Sequence, residues 1–344
     1  MKISVCIPQY NRIVFLLANL KHIEQQTYPN IELVISDDCS KDETATEILK
    51  IQQSYKYPIV FKRNEKNLGY DRNLRQSLEL ASGDYCFILG NDDSLNNPGD
   101  IEFLVNFLEK NDFPDIGFCN YVEDNDRTIL YERATVTGLI GSGYQLALKH
   151  SGNFTFVAGL IYKRSSFLKF NTAKFDGSIF IQVYIACMMI ASGCKLFSIK
   201  EPLVIKDIMA GEEHRNSYRD VIARRWKDYK VVDGGMPSII NVLISSFSEA
   251  GVLTQPVIYS IFLRIYGSSY PHWLLDYRSN KAFPEAIGLM VGLYPSKNKH
   301  YSKLSFFNKI RIYSRYLFST LIGIITPVFI FRRLKSTLYK WRKK

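Results

Sequence analysis

Tyr85-Cys86-Phe87-Ile88-Leu89-Gly90-Asn91-Asp92-Asp93 is an apolar, β-prone run that stops at a glycine and turns acidic. The same grammar recurs upstream. Ile3–Ile7 precedes Pro8-Gln9-Tyr10-Asn11-Arg12, Ile31–Ile35 precedes Asp37-Asp38, and Ile59–Phe61 precedes the polar stretch from Asn64 to Asp71. A fifth run, Ile116–Cys119, follows. Helical patterns lie between the runs, at Val14–Gln26, Thr44–Gln53, Asp71–Ala81 and Ile101–Glu109. Strand and helix in alternation predict an α/β fold, a mostly parallel sheet flanked by helices. Ser40-Lys41-Asp42-Glu43 predicts a capping box for the second helix, and Asp100 predicts an N-cap for the fourth. Ligands of open parallel sheets sit at the carboxyl ends of the strands. Four consecutive polar strand ends on one rim therefore predict a site.

Each polar end has a plainer reading as a turn, because turns favour Asn, Asp and Gly. Two adjacent carboxylates at Asp92-Asp93 repel, and a hard divalent cation bridging to diphosphate oxygens would relieve the cost. Asp37 and Asp38 can accept bonds from a ribose hydroxyl or a base N–H. Gly69 permits positive φ, and Arg72 can meet a phosphate.

Further along, Thr128–Val136 and Phe154–Tyr162 predict strands, and Ile179–Ala191 predicts a buried helix, apolar nearly all round. Beyond about Ser217 the chain reads as helical, with Gly and Pro punctuation. The expected division is 1–215 for the α/β domain, 216–295 for a helical extension and 296–344 for a basic tail.

The charge is unevenly placed. The net +11 arises from residues 296–344, which hold thirteen Lys and Arg and no Asp or Glu; residues 1–295 carry −2. A near-neutral body without nucleic-acid motifs speaks against a nucleic-acid partner. The tail from Phe306 mixes Phe, Tyr, Leu and Ile with Lys and Arg, which suits an anionic membrane surface. The alternative is a basic helix packed on the body. No apolar run reaches the roughly 20 residues that span a bilayer, and no signal peptide is read at the start. The six cysteines show no CxxC spacing and read as free thiols. Absence of GxGxxG and of a Walker A loop argues against dinucleotide oxidoreductases and P-loop enzymes.

Pro8-x-Tyr10-Asn11-Arg12, Ser36-Asp37-Asp38-Cys39-Ser40-x-Asp42-x-Thr44, Asn67-Leu68-Gly69, Ala81-Ser82-Gly83-Asp84-Tyr85 and Asn91-Asp92-Asp93 together resemble the successive motifs of family 2 glycosyltransferases of GT-A fold. Asp71-Arg72-Asn73-Leu74 and Glu201-Pro202-Leu203-Val204-Ile205 make the abequosyltransferase-like branch of bacterial O-antigen assembly the nearest resemblance. The resemblance implies a nucleotide-sugar donor, a glycan or lipid-linked glycan acceptor, an inverting reaction and Mg²⁺ or Mn²⁺. It implies a place at the inner face of the bacterial cell membrane, on the cytoplasmic side. Pro8 and Tyr10 would line the base pocket, with Asn11, Arg12, Asn67, Gly69, Arg72 and Asn91 on the nucleotide. Asp38 would bind base or ribose with Asp37 beside it. Asp92 would contact the sugar-nucleotide and Asp93 the metal.

The acceptor-activating base departs from the family pattern. The place where the family often carries an acid falls near Gln182. Asp176, the nearest carboxylate, is the leading candidate, with Glu212 and Glu213 in reserve. His214, in an element resembling His-x-x-Ser, is a candidate for the metal. The missing acid keeps open a non-catalytic sugar-nucleotide-binding protein.

Overall fold

The computed structural model describes residues 1–210 and 235–332. Two compact units divide the chain, Met1–Gly177 with Ile185–Arg215 and Ser178–Tyr184 with Asn216–Lys344.

The first unit is built on one ten-stranded sheet. Its strands are β1 Ile3–Gln9, β2 Ile31–Asp37, β3 Ile59–Arg63, β4 Tyr85–Ile88, β5 Ser94–Leu95, β6 Ile116–Glu123, β7 Leu130–Tyr131, β8 Gly138–Gly141, β9 Leu160–Lys163 and β10 Leu196–Lys206. The order β3-β2-β1-β4-β9-β6-β10-β5 is parallel from β3 to β4 and again between β6 and β10. β9 runs antiparallel between β4 and β6, so β4, β6 and β10 point the same way. Helices α1 Ile13–Glu24, α2 Thr44–Ile51, α3 Tyr70–Leu80 and α4 Asp100–Lys110 connect the early strands, and α5 Tyr144–His150, α6 Arg164–Phe170 and α7 Ile181–Ala191 follow later in the chain. β1 and β2 are apolar runs because helices cover both sheet faces; Ile3, Val5, Ile7, Leu33 and Ile35 are all at or below 2% exposure.

The predicted strands and helices of residues 1–120 form, most within two residues of the expected ends. The capping box at Ser40 does not form. Ser40 is engaged with Asp37 and with the Asn11 amide, so Asp42 takes over: one oxygen accepts from Thr44 N at 3.2 Å and the other from Ile13 N at 2.9 Å. One aspartate thus caps the starts of two helices. Asp100 is the first helical residue rather than the cap; its carboxylate turns back to the amides of Asn96 and Asn97 at 2.9 and 2.6 Å. Of Thr128–Val136 only Leu130–Tyr131 pairs, and the strand expected from Phe154 begins at Leu160, since Ser151–Phe154 is a helical turn.

The described part of the second unit is helical: α8 Ile239–Glu249, α9 Gln255–Arg264, α10 Tyr270–Ser279, α11 Phe283–Gly292 and α12 Phe306–Ile325. A π-helical turn, Ile265–Ser269, joins α9 to α10. α12 packs through Tyr316, stacked on Tyr270 with ring centroids 5.4 Å apart, and through Ser319, which donates to Tyr266 O at 2.5 Å. Gly323 is required there, because a Cβ would lie 2.9 Å from Leu274 Cβ.

Candidate active site at the carboxyl rim

Register fixes the rim. Gln9 pairs with Asp37 at the ends of β1 and β2, and Lys206 pairs with Glu123 at the ends of β10 and β6. β5 lies against β10, Ser94 opposite Ile205. The chain leaving β4 must therefore cross to β10, and Asn91-Asp92-Asp93 is the crossing.

The glycine before it has a steric purpose. A Cβ on Gly90 would sit 2.5 Å from Asp93 Oδ2 and 3.2 Å from Asp92 Oδ1, so the two carboxylates fold back over bare backbone. Asp92 is 6% exposed and meets the Arg12 guanidinium at 3.1 Å. Arg12 adopts φ 63°, a left-handed conformation at the start of α1, and stacks over Phe15 at 4.6 Å. Asn91 donates to Gln9 Oε1 at 2.9 Å, which ties the corner to β1.

Asp93 is 5% exposed, and its Oδ1 accepts from the Asp207 amide at 3.2 Å. Asp207 follows β10 with φ 53°; its carboxylate pairs with Lys206 at 2.6 Å, and Lys206 also meets Glu123 at 3.0 Å. Burial, then repulsion from Asp92 and Asp207, pushes the Asp93 carboxyl well above the usual range. Burial also raises Asp92, against the opposing pull of Arg12. This corner is short of positive charge, which is the condition a bound cation corrects.

The second wall starts from β2. Asp37 is wholly buried; it accepts from the Ser40 amide at 3.2 Å and faces Arg63 at 3.5 Å, and burial raises its carboxyl despite both. Asp38 organises the next loop. Its Oδ1 accepts from Asn64 Nδ2 and Leu68 N at 3.1 and 2.7 Å, and Oδ2 accepts from Gly69 N at 2.9 Å. Gly69, at φ 88°, opens α3, and Asn67 Oδ1 shares its amide at 3.1 Å. Tyr10 is 42% exposed beside this wall, with Pro8 half-buried on β1.

The structure joins Tyr10, Asn11, Arg12, Asp37, Asp38, Asn67, Gly69 and Asn91–Asp93 on one rim. Two candidates are engaged elsewhere. Arg72 pairs with Glu79 at 2.7 Å. Asp176 is clasped by Arg75, Nε at 2.9 Å and Nη2 at 2.5 Å, with Arg75 also bonded to Glu79 and Asn171. Glu212, Glu213 and His214 lie outside the described residues. Among the described residues no three His, Cys, Asp or Glu side chains form a ready-made metal cage. Asp207, Lys206 and Glu123 were not read from sequence, although Leu203-Val204-Ile205 before Lys206-Asp207 repeats the apolar-run-then-polar signal of the other strands.

The glycosyl transferase family 2 profile matches residues 4–170, the segment that supplies every wall of this rim except the end of β10. Residues 4–170 therefore carry a glycosyl transferase family 2 domain. The family 2 relative abequosyltransferase RfbV of Salmonella typhimurium is 32% identical over 237 residues, 60% of this chain. The aligned segment spans 66% of that protein's length, and smaller shares of the other curated relatives. The fold is similar to that of S. aureus TarS 1–349, solved with UDP-GlcNAc (TM-score 0.63, 15% identity, 93% of this chain and 91% of that one). It is also similar to a mannosyltransferase from Pyrobaculum calidifontis, solved with GDP-Man and Mn²⁺ (TM-score 0.51, 15% identity, 98% and 87%). The family 2 domain therefore has the GT-A fold the sheet order displays.

Proposed function

We propose that the protein is a metal-dependent, inverting glycosyltransferase that moves a sugar from a nucleotide-sugar to a glycan or lipid-linked glycan acceptor. The observation that carries the reading is the buried Asp92–Asp93 corner, whose carboxylates are raised by burial and mutual repulsion and set against Asp207. The donor set is hard oxygen at a phosphate-facing rim, which fits Mg²⁺ or Mn²⁺; Mn²⁺ accompanies the sugar-nucleotide in the Pyrobaculum enzyme. Asp93 would hold the ion and Asp92 the sugar-nucleotide. Such an ion supplies charge neutralisation for the departing diphosphate.

The protein's own groups do the rest. Pro8 and Tyr10 flank the base, with Asp37 and Asp38 at base and ribose through the loop that Asp38 anchors. Arg12 holds the Asp92 carboxylate in place. Asn67, Gly69 and Arg72 line the phosphate side, Arg72 after leaving Glu79. The acceptor hydroxyl loses its proton to a base and its oxygen attacks the anomeric carbon as the bond to diphosphate breaks. Asp176 and Glu213 are the carboxylates proposed for that proton. The Arg75 clasp commits both Asp176 oxygens, so Asp176→Asn separates the roles: a fall in kcat at unchanged unfolding temperature supports a base, and a fall in unfolding temperature alone assigns it to structure.

The direct test is a panel of nucleotide-sugars with Mn²⁺, read by transfer or hydrolysis. Asp93→Ala should lose donor binding, and unchanged binding would remove the metal assignment. Tight donor binding without turnover on any donor would favour the non-catalytic binding protein, a reading motivated by Gln182 standing where an acid is expected.

A further inference from the structure

α12 is a helix with two apolar faces. Ile312, Tyr316, Ser319 and Gly323 recur at i, i+4, i+7 and i+11 and are buried against α9, α10 and the turn between them. At about 100° per residue, Phe307, Ile310, Leu317, Phe318, Leu321 and Ile325 fall on the opposite side. They are 75%, 48%, 47%, 54%, 54% and 63% exposed, a continuous row of large apolar side chains in contact with solvent among the described residues. Ser314 alone interrupts it. Arg311 borders the row on one flank, with Arg315 beyond it, while Lys309 lies half-buried nearer the packed face.

We propose that this outer face docks on a bilayer leaflet rich in anionic lipid, with α12 lying in the interface plane. A soluble helix needs one apolar face. The second is the signature of a helix whose outer side is buried in acyl chains while basic residues reach the headgroups. The charge picks the occupant. Residues 296–344 contain no Asp or Glu, so a second copy paired across a two-fold axis would bring arginine towards arginine with no acid to neutralise it. Anionic headgroups neutralise it directly. The helix does not cross: its first half carries Lys309, Arg311 and Arg315, and no described helix is long and apolar enough to span.

The inference stands apart from the transferase reading, since vesicle binding needs no donor. The full chain is floated with vesicles of phosphatidylglycerol and phosphatidylethanolamine, and with phosphatidylcholine alone. Strong binding to the first and weak binding to the second is expected. Leu317→Ser with Leu321→Ser, and separately Arg311→Glu, should each weaken binding at least about tenfold. Leu317, Leu321 and Arg311 are all exposed, so circular dichroism and unfolding temperature should match the wild type. Equal binding to both vesicle types, or undiminished binding by both variants, overturns the proposal. So does a dimer in sedimentation that the leucine variant dissociates while no vesicle is bound. Loss of sugar transfer with vesicle binding intact counts against the transferase reading alone.

Discussion

Asp93 shows how the rim trades stability for readiness. A carboxylate at 5% exposure with Asp92 and Asp207 beside it and one amide for a partner is a costly group to bury. Asp93→Asn keeps an oxygen for the Asp207 amide and removes the charge. Without metal, the variant is expected to unfold at a higher temperature than the wild type, by a gain on the order of 1 kcal/mol. Added Mn²⁺ should raise the wild-type unfolding temperature through binding to the folded state and leave the variant unmoved. Transfer by the variant should fall by about 100-fold or more, since the leaving diphosphate loses its counter-charge. Differential scanning fluorimetry with and without Mn²⁺, beside a transfer assay, checks all three. A variant less stable than the wild type in metal-free buffer would mean that Asp93 is already satisfied within the protein.

At the level of elements, the opposite rim is held by a carboxylate tuned the other way. Glu32 on β2 is 2% exposed and joins three segments: it accepts from Lys2 Nζ at 2.6 Å, Ser4 Oγ at 2.5 Å, and Ser82 N and Oγ at 2.6 and 2.7 Å. Ser4 Oγ in turn accepts from Gly83 N at 2.9 Å. Burial alone would raise Glu32, but these donors prevail and hold it at about 2. Because the folded value lies below the ordinary 4.5, the stabilisation is complete above pH 4.5 and is lost as pH falls towards 2. Glu32→Gln should cost on the order of 3 kcal/mol at neutral pH and flatten the acid limb of the stability curve, measured by urea titration at stepped pH. An acid limb unchanged in the variant would place the linkage elsewhere. The strands at this end were legible in sequence because Ser4 and Glu32 are single interruptions of the apolar runs Ile3–Ile7 and Ile31–Ile35, and Tyr85–Ile88 has none. β10 was not legible, because Lys200 and Glu201 break its pattern. In the structure both are exposed where the pairing with β6 shifts register, between Ile199 and Pro202. A bulge lets two charged residues sit inside a strand, and missing the strand meant missing Asp207 at its end. The base stays unread for another reason: the Arg75 that claims Asp176 is 101 positions away, beyond what any local pattern encodes.

For the whole molecule, the basic segment that sequence sets apart from residue 296 is, through residue 332, part of the helical unit. Tyr316 donates to Met290 O at 2.9 Å, Arg278 donates to Gly323 O at 2.5 Å, and Phe331 is 1% exposed. Tyr266 and Tyr270, both fully buried, face Tyr316 and lose their cover if it goes. Truncation after Pro295 should therefore remove on the order of 5 kcal/mol or more of packing and leave buried hydroxyls and apolar rings in water. The expected result is an insoluble or protease-sensitive helical unit, read by limited proteolysis, with the sheet fragments of the first unit surviving longer than those of the second. A truncated protein that stays soluble, with the second unit as resistant as before, would show that α12 is dispensable to the fold. The contrast with Leu317→Ser and Leu321→Ser is the useful one. Those changes touch only the outer face, so the same helix should prove indispensable on one side and replaceable on the other, as expected of an element that closes a core with one face and meets a surface with the other.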